Sequence, residues 1–266
     1  MTEEQFAAAV AERARGLCAG GWSVRACGVR VEIEADGQRH VFHPAASFRG
    51  AGERGAQDAV LHTALRLVAL VAESPALQRR LQDFAWAGPR LHLRLQADVH
   101  EVPGVAPALR REWLPGLGVG CAVADLGARR LVQVSEGLAE RWGVGEEAVW
   151  AAARRNLEEW RAAVRRCSGP SEIFGFCGPE AGPGNAVHVL SPEAMRRAAE
   201  ACGSEDLLVG LPEAGTALLC PRESPAAARL RRAVALLHAE SDAPLLADPV
   251  CWRGGAWSRP CPLLEA

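Results

Sequence analysis

The stretch "VRVEIEADGQRHVFH", Val29 to His43, constrains the fold more tightly than any other part of the chain. Apolar and polar residues alternate on both sides of Asp36-Gly37, a dipeptide that suits a two-residue type I′ turn. A loop of that length sets the strand register. Glu34 is therefore expected opposite Arg39, Ile33 opposite His40 and Val31 opposite Phe42. Side chains alternate along a strand, so His40 and His43 fall on opposite faces and cannot share a metal ion.

A hairpin followed by a helix recurs three times, starting near residues 29, 117 and 206, without visible identity between the copies. In "LGVGCAVAD", Leu117, Val119, Cys121 and Val123 form one face. Gly118, Gly120, Ala122 and Ala124 form the other, smooth enough for another backbone to lie close. The third pair is "DLLVGL" with "GTALLC", and a small closing hairpin, "VCWRGGAW", turns at Gly254-Gly255.

Helices are expected after a Thr2–Gln5 capping box, over 56–73 ahead of Pro75, and from Leu138 to Trp142. Others are expected from Glu146 to about Arg166, from Ser191-Pro192 to near Gly203, and over 224–239. "AVHVL" reads as a strand. The result is an α+β chain of recurring hairpin-then-helix units, its helices packed against small antiparallel or mixed sheets. Glycine and proline near 85–90 mark a boundary between an N-terminal domain, 1–88, and a larger one, 89–266, unless one domain spans both.

The 266 residues are 49% hydrophobic with a net charge of −2, enough for one large or two modest cores. No global field draws such a chain to nucleic acid or to an acidic membrane. No apolar run approaches the roughly 18 residues of a membrane span. "MTEEQFAAAV" lacks the basic and apolar regions of a secretory signal. Nine scattered cysteines without C-x-x-C spacing suit reduced thiols in a cytosol. All 30 Lys-plus-Arg positions are arginine, and tyrosine is absent. These absences exclude Schiff-base lysines, P-loop and kinase lysines, and phenolic acids.

Few motifs survive their context. Gly116, Gly118 and Gly120 precede a strand, whereas a dinucleotide loop must lead into a helix. No G-x-S-x-G elbow or H-E-x-x-H pair occurs. No cysteine spacing fits a closed zinc site, so neither a metal nor a cofactor is expected. A cysteine nucleophile with a distant histidine remains open.

Asn156 is the most informative polar residue. It lies in the apolar stripe of the helix from Glu146, beside Val149, Ala153 and Trp160, and needs a partner or a ligand. In "LLHAESDAPL", His238 and Asp242 are spaced i, i+4, whereas Glu240 points away. Pro244 ends the helix, with Leu237 expected in its buried stripe. The cluster reads mainly as a helix end.

The strand ending in Asp125 is followed by "VSEGLAERWGVGEEAVWAAARRNLEEW". Together with "DLLVGLPEAGTALLC" and "LRRAVALLHAESDAPLLADPVCWRGGAW", this text resembles the YtpQ-like family of uncharacterised bacterial proteins. The resemblance covers most of the chain, loosely over 75–112 and 167–190. It implies a soluble bacterial protein and no mechanism. The "CSGPSEIFGFCGPEAGPGN" loop and the missing lysine and tyrosine depart from that family. The function expected is a non-catalytic binding or adaptor module for an unknown protein or small-molecule ligand. The alternative is a hydrolase or transferase using Asp125, His238 and Asp242, with Asn156 as a binding residue.

Overall fold

A computed structural model describes residues 1–18, 21–35, 38–44, 48, 56–97, 108–125, 130–167, 172–178, 185–241 and 244–258. The chain is α+β, its sheets all antiparallel, and divides into two units, Met1–Arg80 and Leu81–Ala266. The division falls between Arg80 and Leu81 rather than at 88. The segment 81–90 belongs with the second unit, where Trp142 donates its indole N–H to the Leu81 carbonyl at 2.6 Å.

In the first unit, helix α1 (Glu3–Leu17) begins with the expected box: Thr2 accepts from Gln5 N–H, and Gln5 accepts from Thr2 N–H. Strands β1 (Ser23–Cys27), β2 (Arg30–Ala35) and β3 (Gln38–Phe42) form a sheet in that order. β2 and β3 pair Val31 with Phe42, Ile33 with His40 and Glu34 with Arg39, as the alternation requires. The Asp36-Gly37 turn itself lies outside the described residues.

Phe6, Val10, Val31 and Ile33 are fully buried, joined by Ala64, Leu67 and Val71. The latter three come from α2 (Ala56–Leu81). That helix runs beyond the expected end at 73, through Pro75, with a 46° bend between Gln57–Ala72 and Ser74–Leu81. Proline lacks the N–H and crowds the preceding turn, so the helix bends there and continues. No single helix among the described residues is long and apolar enough to cross a membrane. On the other face of β2, the buried carboxylate of Glu32 lies between Arg25 and Arg39 and accepts from both. Those bonds hold it near pKa 2, well below the usual carboxylate range.

The second unit holds two sheets. In the smaller, β6 (Leu117–Asp125) is central, because residues on both its faces are buried. It pairs along its length with β4 (Leu91–Ala97). Its other edge is shared by β5 (Arg110–Leu114) and β7 (Arg130–Gln133). The smooth face is covered mainly by side chains: the Arg110 guanidinium lies over Gly118, and Gln96 lies over Gly120 with the Leu109 carbonyl beside it. Helices α3 (Phe84–Ala87), α4 (Glu136–Arg141) and α5 (Glu146–Glu159) accompany this sheet.

The larger sheet has the order β13-β12-β10-β11-β9-β8. Its strands are β8 (Ala163–Arg166), β9 (Phe174–Cys177), β10 (Asp206–Glu213), β11 (Thr216–Pro221), β12 (Val250–Arg253) and β13 (Ala256–Ser258). The closing hairpin turns at Gly254 and Gly255, both at positive φ (53° and 93°).

Two expectations are corrected here. α5 stops at Glu159 instead of reaching Arg166, and Ala163–Arg166 pairs with β9. Nothing in "RAAVRR" breaks a helix, so the tertiary pairing overrides local propensity. "AVHVL" is a turn of 3₁₀ helix, Ala186–Leu190, with four consecutive buried residues where a strand would alternate. It leads into α6 (Pro192–Cys202), capped by Ser191 and ended by Gly203 at φ 66°.

Helix α7 (Ala227–Glu240) packs Leu230 and Val234 on β10 and β11, over Leu208, Cys220 and Cys251. Its contact with the sheet is backbone-close, because a Cβ on Gly210 would stand 2.2 Å from a Val234 methyl. Gly210→Ala is therefore expected to destabilise the unit by about 1–3 kcal/mol, since one extra methyl overfills a closed site. Adding Val234→Ala should recover part of that loss, a non-additivity that urea denaturation of the single and double variants will measure.

Candidate functional site

Asn156 organises the larger unit from inside helix α5. It sits among Val149, Trp150, Ala153 and Leu157 on the buried face, itself 8% exposed. Its amide nitrogen donates to two carbonyls, Gly88 O and Leu91 O, each at 2.8 Å. Both belong to the turn that opens β4. The side chain is thus a clamp between helix and strand rather than a contact presented to a ligand.

The face of α5 next to this clamp carries a row at i, i+4 spacing: Glu146, Trp150, Arg154 and Glu158. The Trp150 indole N–H donates to Glu146 Oε1 at 2.8 Å. Arg111, from the edge strand β5, stacks its guanidinium 4.6 Å over the Trp150 ring while donating to Glu146 and Glu147. At the other end of the row, Ser191 donates its hydroxyl to Glu158 Oε2 at 2.9 Å, and Ser191 Oγ caps α6 at Ala194 N–H.

Of these side chains, Arg111, Trp150, Arg154 and Glu158 form one wall of a cavity of about 460 Å³. Leu93, Val119, Leu157, Val189 and Met195 make its apolar floor. Three further tryptophans complete it. Trp252 and Trp257 are cross-strand partners on the closing hairpin, and the Trp257 ring meets that of Trp113 edge-on, with centroids 5.0 Å apart. The volume lies in the range of small-molecule sites, roughly 300–1,000 Å³. Four indoles offer flat apolar faces with a polar edge, a lining suited to recognition by stacking.

The residues singled out from sequence do not meet in this cavity. Neither Asn156 nor His238 lines it. Asp125 ends β6 opposite Arg130, and its side chain is outside the described residues, as is the whole of Asp242. α7 ends at Glu240, and the chain then docks on β10 through Leu245 N–H to Pro212 O.

Leu237, expected in the core, is only half-buried, because the core under α7 ends one turn earlier at Val234. Leu230→Ala is expected to cost about 2–5 kcal/mol. Leu237→Ala should cost less, as comparison of the two denaturation midpoints will show.

The residues missed were the tryptophans and their arginines. A signal was present, since the chain has 8 tryptophans against 6 phenylalanines and no tyrosine.

Burial shapes the titrating groups. Cys121 and Cys202 are pushed up to about 12 and Cys220 to about 11, so these sulfurs stay protonated and poorly nucleophilic. Among the described residues, no three of His, Cys, Asp and Glu gather as a metal site would need.

His92, 4.2 Å from the Trp160 ring, and His188, 5.9 Å from Phe176, are both buried. Desolvation lowers both from 6.5 to about 4, with Arg197 adding to the effect at His188. Between those values the unfolded chain binds more protons than the folded one. Their contribution to stability is therefore complete above pH 6.5 and is lost as pH falls toward 4. The urea midpoint should drop across that window, and His188→Gln should flatten the slope even if it lowers the plateau.

No family model, no curated protein and no solved structure matches this chain.

Proposed function

We propose that the larger unit is a non-catalytic binding module whose ligand is a small, mainly apolar molecule with a flat face. The observation that carries this reading is the cavity lined by Trp113, Trp150, Trp252 and Trp257. Its walls are pre-organised. Trp150 is locked by Glu146 and Arg111, Trp257 is braced by Trp113, and α5 is held by the Asn156 clamp. Rigid aromatic walls lose little entropy when a ligand seats, which is what a binding site needs.

The alternative, hydrolase or transferase chemistry through Asp125, His238 and Asp242, draws no support from this cavity, which His238 does not line; Asp242 and the Asp125 side chain lie outside the described residues. The cytosol is the proposed location, in keeping with eight free thiols among the described cysteines. Kinship with the YtpQ-like family is part of the same proposal and adds no activity.

The neutral fluorophore N-phenyl-1-naphthylamine should bind saturably and quench tryptophan emission. Trp257→Ala should weaken binding roughly tenfold or more, as loss of a large stacking face implies. Trp22→Ala, in the smaller unit, should leave it unchanged. Absence of saturable binding, or equal binding by Trp257→Ala, would overturn the proposal. Native mass spectrometry of protein from its own cells would then identify the retained molecule.

A further inference from the structure

Taking the cleft to be the binding site proposed above, we infer that its ligand carries an oxyanion, held by Arg154, on the apolar body that stacks against the tryptophans. The inference follows from which lining charges already have partners. Arg111 is engaged by Glu146, Glu147 and the Trp150 ring. Glu158 accepts from Ser191, whose oxygen caps α6, so that helix terminus is already served. Glu112 borders the cavity and makes no ion pair among the described residues, but it is one residue on from Arg111 and opposite Gly118. Pleat alternation therefore sets its side chain on the other face of the sheet.

Arg154 remains. It lines the cavity at the centre of the row, is exposed, and makes no hydrogen bond or ion pair among the described residues. Glu158 is four residues away, near enough for an i, i+4 pair, yet turns to Ser191. Among the charged side chains of the lining, the donors left free inside the aromatic cleft are therefore those of the Arg154 guanidinium.

A guanidinium presents a planar fork matched to the paired oxygens of carboxylate, phosphate or sulfonate. Trp150 and Leu157 flank Arg154 on α5, so the same molecule can place a ring or chain on the indoles and its anionic end at the mouth. The ligand class is an organic monoanion with an aromatic or apolar body.

The test uses two probes that differ by one sulfonate group: 1-anilinonaphthalene-8-sulfonate and uncharged N-phenyl-1-naphthylamine, titrated against the full chain. The sulfonate should bind the wild type roughly fivefold to tenfold more tightly at low salt, and the preference should shrink with added salt. Arg154→Gln should remove that preference while leaving the neutral probe's affinity within twofold. Arg154 is exposed, so an unchanged urea midpoint will show that the fold is intact. Equal affinities for the two probes in the wild type, or an unaltered preference in Arg154→Gln, would overturn the anion assignment and leave the cleft reading standing. Failure of both probes to bind would remove the cleft reading itself, and the anion assignment with it.

Discussion

The amide of Asn156 spends both its N–H groups on the carbonyls of Gly88 and Leu91, and the larger unit is organised around that choice. Those carbonyls sit where a 3₁₀ turn becomes a strand, and the Gly88 carbonyl also accepts from Leu91 N–H inside that turn. The buried Asn156 amide, left without these partners, would cost on the order of 1–3 kcal/mol. Two bonds from one side chain fix the axial position of α5 against β4. The same helix carries Trp150 and Arg154 four residues apart, so the clamp also sets where the cavity wall stands. A hydrophobic contact could hold the helix down, but it would not fix its register along the strand.

The absence of lysine gives the rest of the framework its character. Each strong side-chain cation is a guanidinium, which can serve several partners in one plane. Arg111 spans two carboxylates and a ring, and Glu32 is closed over by arginines from both neighbouring strands. An ammonium has no flat face and could not reproduce the stacked part of these arrangements. Fixed guanidinium positions make the tryptophan walls firm, because an indole whose N–H and face are both engaged has few ways to turn.

Local signals made much of the fold legible in the sequence. Alternation around Asp36-Gly37 specified which residues face each other, the Thr2–Gln5 box marked a helix start, and Gly254-Gly255 marked the last hairpin. Failures came where the deciding partner was distant in sequence. "RAAVRR" has no local reason to leave a helix until β9 offers it hydrogen bonds. "AVHVL" has the composition of a strand but is wrapped into a buried turn. Leu237 follows the apolar spacing of α7, yet the sheet beneath supports only the turns through Val234.

The cavity was the hardest feature to foresee. Its indoles come from three separate segments, at 113, 150 and 252–257, and none has a spacing that signals a site. Asn156, by contrast, was legible as a residue needing a partner, because its place in an apolar stripe is a purely local fact.

The edge-on contact between Trp113 and Trp257 has a consequence for solubility. Each ring stands on the outermost strand of its sheet, β5 in one and β13 in the other, and free strand edges invite pairing with other chains. β13 is three residues long, and β5 slips register between Glu112 and Leu114, so neither offers a long, flat run of unpaired amides. The two indoles meet beside these edges. Losing one ring would leave the other's apolar face open beside a sheet edge, with self-association as the cost.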